Sequence, residues 1–331
     1  MFPVKIYYEP AIDEYTLGKT LREKYKDVPQ IPIESHNNIF ELRSRPNSDF
    51  VEMKKYLIIG VRKTHKYADN FKTSDFLVPF TSSGCSAMCL YCYLVCNYNK
   101  CSYLRIFVNQ EEILNKLIKK SHSTEKECVF EIGSNSDLIL ENMITNSLIT
   151  TIEEFGKKGR GAITFPTKFS MVDKLLNLDH NGKVIFRMSI NPSEIIRDVE
   201  IGTSTLMSRI IALNKMCEAG YKVGLLIAPV IMLKNWRMIY TEMLDTLYEN
   251  LTEKVKNSMF IEVIFMTYSY VHRAINDQAF PDRQKLYNQQ LMTGRGRGKY
   301  CYRQYYREDG EAFLRYEIGK RFNCANIIYV V

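Results

Sequence analysis

The chain has 331 residues, 46% of them hydrophobic and 25% charged, and this ordinary globular composition excludes global disorder, collagen and coiled coil. Lys and Arg outnumber Asp and Glu by 45 to 37, and the net charge of +8 permits a nucleic-acid partner without requiring one. The longest apolar run, 223–233, is shorter than the roughly 20 residues of a membrane span, and residues 1–10 lack a secretory pattern, so we expect a cytoplasmic protein with no membrane partner.

Two strand-like segments, 4–8 and 57–61, precede a regular alternation of strands and helices. Continuous runs rich in Val, Ile and Phe predict buried parallel strands at 76–80, 128–133, 162–166, 183–190, 222–231 and 260–266. Helical patterns are found at 111–120, 141–157, 205–219 and 238–256. In the third helix the apolar positions are Leu206, Ile210, Leu213 and Met216, and Gly220 suits the residue that ends it.

This alternation predicts an α/β fold, and six strands with intervening helices suit a partial (β/α)6 barrel of the TIM type. We assign the barrel to residues 76–331 and interpret residues 1–75 as an N-terminal extension packed on it. In such barrels the active site lies at the carboxyl ends of the strands, so the loops that follow the strands are the places to look for chemistry.

Cysteines are concentrated in one such loop. Five of the nine lie within 17 residues, in a chain without a secretory signal, so we expect metal or redox chemistry and no disulfide framework. Cys85, Cys89 and Cys92 have the spacing C-x3-C-x2-C, and three thiolates can hold three irons of a 4Fe–4S cluster and leave the fourth open. The alternative is a structural zinc site completed by Cys96 or Cys101.

A basic and aromatic segment lies near the carboxyl-terminal end of the barrel sequence. Residues 295–307 contain five cations and no acidic residue, and tyrosines are interleaved with the cations. Cations can contact phosphates while aromatic rings stack on bases or wedge between them. We therefore expect DNA contacts from this segment, and the alternative is a solvated hairpin face. The candidate residues are Arg295, Arg297, Lys299, Tyr300, Tyr302, Arg303 and Arg307.

The cysteine spacing, with an aromatic residue before the third cysteine, resembles the radical S-adenosylmethionine (SAM) superfamily. Further motifs in chain order make the sequence similar to the spore photoproduct lyase family: GCSAMCLYCYL at 84–94, FEIGSNSDLI at 130–139, PTKF at 166–169, RMSINPSEI at 187–195, AGYKVGLLIAPV at 219–230 and GKYCY at 298–302. This resemblance implies a lyase with a 4Fe–4S cluster and SAM that reverts a methyl-bridged thymine dimer in double-stranded DNA. It also implies an electron donor such as flavodoxin or ferredoxin, and a location inside the spore or the germinating cell.

The resemblance also implies roles for individual residues. Cys85, Cys89 and Cys92 match the cluster ligands, and Tyr91 and Tyr93 match two tyrosines of a radical relay. For Tyr91, packing against the cluster is the alternative. The residues that match SAM contacts are Ser136, Asp137, Lys168, Ser189 and Asn191. Ser136 and Asp137 could instead cap a helix, and Lys168 could instead be a solvated loop lysine.

The sequence departs from the family pattern at two places. Ser134 stands where relatives of the Bacillus type have a cysteine that donates hydrogen to the thymine radical, and a serine O–H bond is too strong for that task. We expect Cys301 to replace it, with Cys96 as the second choice. Cys301 lies in the segment 291–307, which matches the lesion-facing hairpin of the family. The residues 294–296 replace an Arg–Tyr pair followed by Gly.

Two other functions remain open at this point. A radical SAM enzyme of the same fold could act on another substrate, an alternative that the serine at position 134 favours. A non-catalytic nucleic-acid-binding protein with a structural metal site would also have a basic segment and clustered cysteines. Iron analysis and SAM cleavage under a reductant separate the enzymes from the binding protein.

Overall fold

The structure is a computed structural model that describes residues 3–97 and 103–331. Within these residues the chain forms two compact units, each built from several chain segments. Unit 1 contains Met1–Met88, Tyr93–Phe165 and Asn177–Val184, and unit 2 contains Cys89–Cys92, Pro166–Leu176 and Ile185–Val331. The proposed division into an extension of 75 residues and a barrel stays a prediction.

The strands and helices described for unit 1 do not alternate strictly along the chain, since the strands from Tyr56–Gly60 to Met88–Cys89 follow one another without an intervening helix. The strands are β1 (Lys5–Tyr8), β2 (Gln30–Pro32), β3 (Tyr56–Gly60), β4 (Ala68–Asp69), β5 (Phe76–Leu77), β6 (Ser82–Ser83), β7 (Met88–Cys89), β8 (Leu104–Phe107), β9 (Val129–Glu131) and β10 (Ala162–Thr167), of which β7 and β10 end in unit 2. The helices are α1 (Thr16–Lys24), α2 (Phe40–Ser44), α3 (Phe50–Met53), α4 (Leu94–Asn97), α5 (Gln110–His122), α6 (Leu138–Thr145) and α7 (Ser147–Lys158).

A parallel sheet in the order β2-β1-β3-β8 forms the first core of unit 1, and β6 pairs with β8 antiparallel at one edge. Its strands carry continuous apolar residues because both faces are covered. Ile6, Leu57, Ile59 and Ile106 are fully buried in one cluster that also includes residues of α1. The predicted strands at 4–8 and 57–61 are therefore confirmed, but as members of a sheet that sequence patterning did not predict.

The predicted helix at 141–157 is two helices, and it begins earlier than predicted. Asn146 has φ 57°, in the left-handed region, where it ends α6 and begins α7. Asparagine tolerates this conformation better than most residues, since its short polar side chain can bond locally. The apolar periodicity continues through the break, which is why the sequence pattern did not reveal it.

Unit 2 contains the strands β11 (Val184–Ile190), β12 (Glu200–Ile201), β13 (Lys222–Val230), β14 (Phe260–Phe265), β15 (Thr267–Ser269), β16 (Met292–Gly296), β17 (Lys299–Tyr302) and β18 (Asn326–Val330). Its helices are α8 (Ser193–Asp198), α9 (Leu206–Glu218), α10 (Trp236–Asn250), α11 (Glu253–Ser258), α12 (Tyr270–Ala279) and α13 (Gln304–Arg321). The strands β11, β13, β14 and β18 are parallel neighbours in that order. Gly220 follows α9 with φ 87°, as predicted for the residue that ends this helix.

The predicted hairpin at 291–307 is confirmed only in part. Strands β16 and β17 pair antiparallel, and β15 adds a third strand on the far side of β17. Three successive residues at the tip, Gly296, Arg297 and Gly298, have positive φ values of 85°, 51° and 68°. Residues from Gln304 onward belong to α13 instead. No helix in the parts of the chain described here is long and apolar enough to cross a membrane.

Candidate active site

The predicted cluster ligands lie in one short segment of the chain. Cys85, Cys89 and Cys92 are partly exposed and form no disulfide. Gly84 precedes them with φ 77°, a conformation that favours glycine. Within residues 3–97 and 103–331, no three His, Cys, Asp or Glu side chains are arranged as a metal site. The donor type fits an iron–sulfur cluster, because such clusters are held by cysteine thiolates, and the ligand set stays a prediction.

The cysteine alternatives differ in their surroundings. Cys96 is exposed on α4, and Cys101 lies outside the described residues. Cys301 is partly exposed on β17, where Thr267 and Thr293 are its partners on the two neighbouring strands. A partly exposed thiol on a hairpin strand is accessible to a bound molecule, which agrees with the role predicted for Cys301 without testing it.

Three hydrogen bonds from later parts of unit 2 fix the backbone around Cys92. The N–H of Leu90 donates to the carbonyl of Val199 at 3.0 Å, and Asn276 Nδ2 donates to the carbonyl of Leu90 at 2.8 Å. His272 Nε2 lies 3.0 Å from the carbonyl oxygen of Cys92. The N–H of Ser269 donates to His272 Nδ1, so the ring proton is on Nε2 and donates to Cys92. Burial lowers the pKa of His272 to about 4, which keeps this ring neutral.

A buried carboxylate that the sequence analysis did not predict lies at the centre of unit 2. Glu200 is inaccessible to solvent. The phenol of Tyr91 donates to Glu200 Oε1, and so does Asn191 Nδ2, at 2.8 Å. Lys168 Nζ lies 3.1 Å from the same oxygen, and Arg209 Nη2 lies 2.6 Å from Oε2. Two predicted SAM contacts and one predicted relay tyrosine therefore share one acceptor.

The charges around Glu200 decide its ionisation. Burial alone would raise the pKa of Glu200, but the charges of Lys168 and Arg209 outweigh burial and lower the pKa to about 2. The carboxylate is therefore charged at neutral pH. Burial, and then the negative charge of Glu200, raise the pKa of Tyr91 well above 10, so Tyr91 remains a neutral donor.

Lys168 is not the solvated loop lysine of the alternative interpretation. Besides Glu200, its ammonium donates to Ser189 Oγ at 2.5 Å and to the carbonyl of Ala228 at 3.0 Å. Its side chain is 21% exposed, whereas those of Glu200 and Arg209 are not exposed at all. Lys168 follows β10 and Ser189 is near the end of β11, so both are at the carboxyl ends of strands, as predicted.

Ser136 and Asp137 lie at the start of α6 in unit 1. Asp137 Oδ1 accepts the N–H groups of Ile139 and Leu140 at 3.2 and 3.3 Å, so Asp137 caps this helix, as the alternative interpretation required. Ser136 Oγ lies 2.7 Å from Ser82 Oγ. SAM contacts by Ser136 and Asp137 stay predictions.

A second buried glutamate, Glu141, lies on α6 and also has no accessible surface. Its carboxyl accepts hydrogen bonds from the hydroxyls of Thr81 and Ser147 at 2.8 Å each and from Gln110 Nε2 at 3.2 Å. These donors are neutral, and burial raises the pKa of Glu141. Glu141 and Glu200 are therefore equally buried, but the pKa of Glu141 is raised and that of Glu200 is lowered.

Tyr93 is on the surface of unit 1. Its ring is 54% exposed, and its hydroxyl donates to the carbonyl oxygen of Ser134. The backbone of Ser134, the position at which the sequence lacks the expected cysteine, is thus in direct contact with a predicted relay tyrosine.

The predicted DNA-contacting residues differ in accessibility. Arg295, Arg297, Lys299 and Arg307 are exposed. Arg303 is exposed too, but its guanidinium donates to the carbonyl oxygens of Gln290 and Gln289. The remaining two candidates are tyrosines of β17.

Tyr302 is a correction to the prediction of DNA contacts. It is only 4% exposed. Its hydroxyl accepts the N–H of Met232 at 2.8 Å, and its ring packs edge-on against Phe265. These contacts hold Tyr302 in the core of unit 2, so it cannot stack on a base. Tyr300 is half-buried and packs edge-on against Tyr287.

Comparison with known proteins gives one consistent family. The family model of spore photoproduct lyase matches residues 1–331. The spore photoproduct lyase of Bacillus subtilis (strain 168) is 33% identical over 322 residues, which are 95% of this chain and 92% of that protein. The spore photoproduct lyase of Geobacillus sp. (strain Y412MC61) is 31% identical over 339 residues, 99% of this chain and 98% of that protein.

Solved structures agree with the sequence comparison. A spore photoproduct lyase complexed with dinucleoside spore photoproduct has a TM-score of 0.91 to this chain, at 29% identity and 99% coverage of both chains. A mutant spore photoproduct lyase with bound AdoMet and dinucleoside spore photoproduct gives the same TM-score, identity and coverage. A match of this extent confirms the predicted fold class.

Proposed function

The chain belongs to the spore photoproduct lyase family, and on that basis we propose that it is a radical SAM lyase that reverts the methyl-bridged thymine dimer in DNA to two thymines. The observation that carries the proposal is the match of nearly the whole chain to a spore photoproduct lyase structure that holds both AdoMet and the dinucleoside lesion. The substrate is damaged DNA, and a flavodoxin or ferredoxin is the proposed electron donor.

The cofactor residues are assigned as follows. Cys85, Cys89 and Cys92 hold a 4Fe–4S cluster and leave one iron open for SAM. With SAM bound, such a cluster would supply the radical chemistry that opens the lesion. The absence of a disulfide at these three cysteines and the left-handed Gly84 in front of them support this ligand set.

Lys168 and Ser189 are proposed to bind the carboxylate of SAM. The side chain of Lys168 is partly exposed, and its ammonium is held by three acceptors. Lys168 and Arg209 against Glu200 give this group of side chains a net charge of +1, which favours an anionic ligand group. Ser136, Asp137 and Asn191 are further SAM contacts that the family resemblance implies.

DNA is proposed to bind along the hairpin β16–β17 and the first turn of α13. Five exposed cations there, Arg303 among them, can contact phosphates without reading base sequence, as repair at any sequence requires. A lesion must leave the duplex to reach a buried cofactor, and a damaged step costs less to extrude. Arg297, with its positive φ between two glycines, holds a cation at the tip of the hairpin.

Cys301 is proposed as the donor that returns a hydrogen atom to the thymine methyl radical. The S–H bond is weak enough to donate, whereas the O–H bond of Ser134 is not. Tyr91 and Tyr93 both donate their phenolic hydrogens to acceptors of this chain, so any relay through these tyrosines starts with the loss of those hydrogen bonds. Cys96, exposed on α4, is the second choice.

The test is incubation of the cluster-loaded protein with a synthetic methyl-bridged thymine dinucleotide, SAM and dithionite, followed by chromatography of the products. We expect the unmodified thymine dinucleotide to accumulate only when SAM and the reductant are both present. If SAM is cleaved while the dinucleotide is unchanged, the chain is a radical SAM enzyme for another substrate. If SAM is not cleaved at all, the enzyme proposal is wrong and the binding-protein alternative remains.

A further inference from the structure

The strongest unassigned feature of unit 2 is the group of charged side chains around Glu200. Lys168, Tyr91 and Asn191 all donate to one oxygen of Glu200, and Arg209 donates to the other. One cation is enough to balance the charge of this buried carboxylate, and Glu200 has two, Lys168 and Arg209. The additional hydrogen bonds fix the positions of the side chains that donate them.

Arg209 binds the carboxylate oxygen of Glu200 that Lys168 does not contact. Its guanidinium also donates to the carbonyl oxygens of Ser189 and Ser204, each at 2.9 Å, and to Thr203 Oγ1 at 2.7 Å. Arg209 has no accessible surface, so it cannot contact a ligand itself. The ion pair of Arg209 and Glu200 is therefore inaccessible to solvent and is held in place by several hydrogen bonds.

Lys168 is the part of this group that a ligand can reach. Its ammonium donates to Ser189 Oγ, Glu200 Oε1 and the carbonyl of Ala228, which come from three separate chain segments. An ammonium has three N–H donors, so a ligand carboxylate takes the place of one of the two neutral acceptors while Glu200 keeps its hydrogen bond. An ammonium on a flexible four-carbon stem has high rotamer entropy unless such acceptors hold it. Glu200 is the only charged acceptor among the three.

We propose that Glu200 is a positioning residue for SAM binding, acting by holding the ammonium of Lys168 where the ligand carboxylate is bound. This inference rests on the proposed function, since it takes SAM as the ligand of Lys168. The carboxylate touches neither substrate nor cofactor. It holds Lys168 on one side and, through the phenol of Tyr91, the segment of cysteines 89 and 92 on the other.

The first test measures SAM cleavage without DNA in the cluster-loaded full chain. Glu200→Gln keeps the shape of the side chain and removes its charge. We expect the KM for SAM to rise about tenfold, the effect of losing one hydrogen bond to a charged group, while kcat stays within about twofold. The matched control is Glu262→Gln, an equally buried glutamate that pairs with Arg187 at 3.3 Å, and its KM should stay within about twofold.

A double-variant comparison separates positioning from a merely structural role. If Glu200 acts through Lys168, then Lys168→Met and the double variant Lys168→Met with Glu200→Gln will have the same KM for SAM. A further loss of affinity in the double variant would overturn the inference. An unchanged KM in Glu200→Gln would also overturn it.

The second test does not depend on activity. Acetylation of the holoprotein with a limiting acylating reagent, quantified by peptide mass spectrometry, compares Lys168 with the exposed Lys222. We expect Lys168 to react more slowly than Lys222 in the wild-type protein, to be protected further by SAM, and to react about tenfold faster in Glu200→Gln.

The wild-type comparison keeps the inference falsifiable even if Glu200→Gln does not fold. If Lys168 reacts as fast as Lys222 in the wild-type protein, Lys168 is not held and the inference is wrong. Neither test contains DNA, so both can be interpreted without knowing the substrate. Failure to repair a thymine dimer would contradict the proposed substrate but not the role proposed for Glu200.

Discussion

The two buried glutamates provide a sharp test of the electrostatics of this fold. Glu200 and Glu141 are equally buried, yet Glu200 contacts two cations and Glu141 contacts neutral donors only. The same substitution, Glu to Gln, should therefore have different consequences at the two positions. We predict that Glu200→Gln strongly destabilises the protein at pH 7 and that Glu141→Gln does not.

The magnitude follows from the pKa values. The pKa of Glu200 falls from 4.5 to about 2, and at about 1.4 kcal/mol per pKa unit this corresponds to about 3 kcal/mol of stability at neutral pH. Removing one partner of a buried ion pair costs about 3–5 kcal/mol, which agrees. Burial raises the pKa of Glu141, so its ionisation costs stability instead of adding to it, and Glu141→Gln, which removes that charge, should destabilise the protein by no more than about 1 kcal/mol.

The pH dependence has opposite signs at the two positions. A lowered pKa contributes stability above pH 4.5 that is lost as the pH falls toward 2, so the difference in free energy of unfolding between wild type and Glu200→Gln should narrow on acidification, by roughly 1 kcal/mol at pH 3.5. A raised pKa contributes stability below 4.5 that is lost as the pH rises, so the wild type should gain relative to Glu141→Gln on acidification.

The assay is urea unfolding followed by far-UV circular dichroism at a series of pH values, with free energies of unfolding compared at each pH. The expected pattern is a large, pH-dependent loss for Glu200→Gln and a small difference of opposite pH dependence for Glu141→Gln. Equal losses in the two variants at pH 7 would refute the assignment of a charged Glu200 held by Lys168 and Arg209.

Four further predictions concern the loop, the hairpin and the sheet. Cys89→Ala should lose iron and all SAM cleavage, and a variant with full iron content would show that the ligand set is different. Arg307→Ala should weaken DNA binding and reduce the salt slope of the affinity by about one unit, which titrations at several salt concentrations would measure. Cys301→Ala should still cleave SAM and open the lesion but release by-products, whereas a normal thymine yield would move the donor role to Cys96. Gly224→Ala should lower the urea midpoint, since its Cβ would lie 2.3 Å from the ring of Phe260 on the neighbouring strand, and such overpacking costs about 1–3 kcal/mol.

Much of the fold could be predicted because the strands of unit 2 are long apolar runs. The predicted 183–190 and 222–231 differ from β11 and β13 by one residue at one end. Burial on both faces makes such strands continuous in sequence, and hence visible. The pairing of β1, β2, β3 and β8 could not be predicted, because short strands separated by irregular segments carry no signal about their neighbours.

The candidate site was predicted only where a motif exists. Motifs indicate Cys85, Lys168 and Ser189 as candidates, whereas Glu200 lies in a segment without a motif. One signal was present in the sequence: Arg209 falls on the apolar face of the helix with Leu206 and Leu213. A charged side chain on a buried helix face requires a partner of opposite charge, and that partner is Glu200.

The hydrogen bonds that fix the backbone of the cysteine loop come from residues that are synthesised much later than the cysteines. The carbonyl of Cys92 accepts its hydrogen bond from a histidine 180 residues later in the chain, and that of Leu90 from Asn276, 186 residues later. When the cysteines leave the ribosome, the groups that fix their backbone do not yet exist. The loop can take its final shape only after α12 has been made and folded. Cofactor insertion is therefore expected to be a late, post-translational event, and the thiols must stay reduced until then.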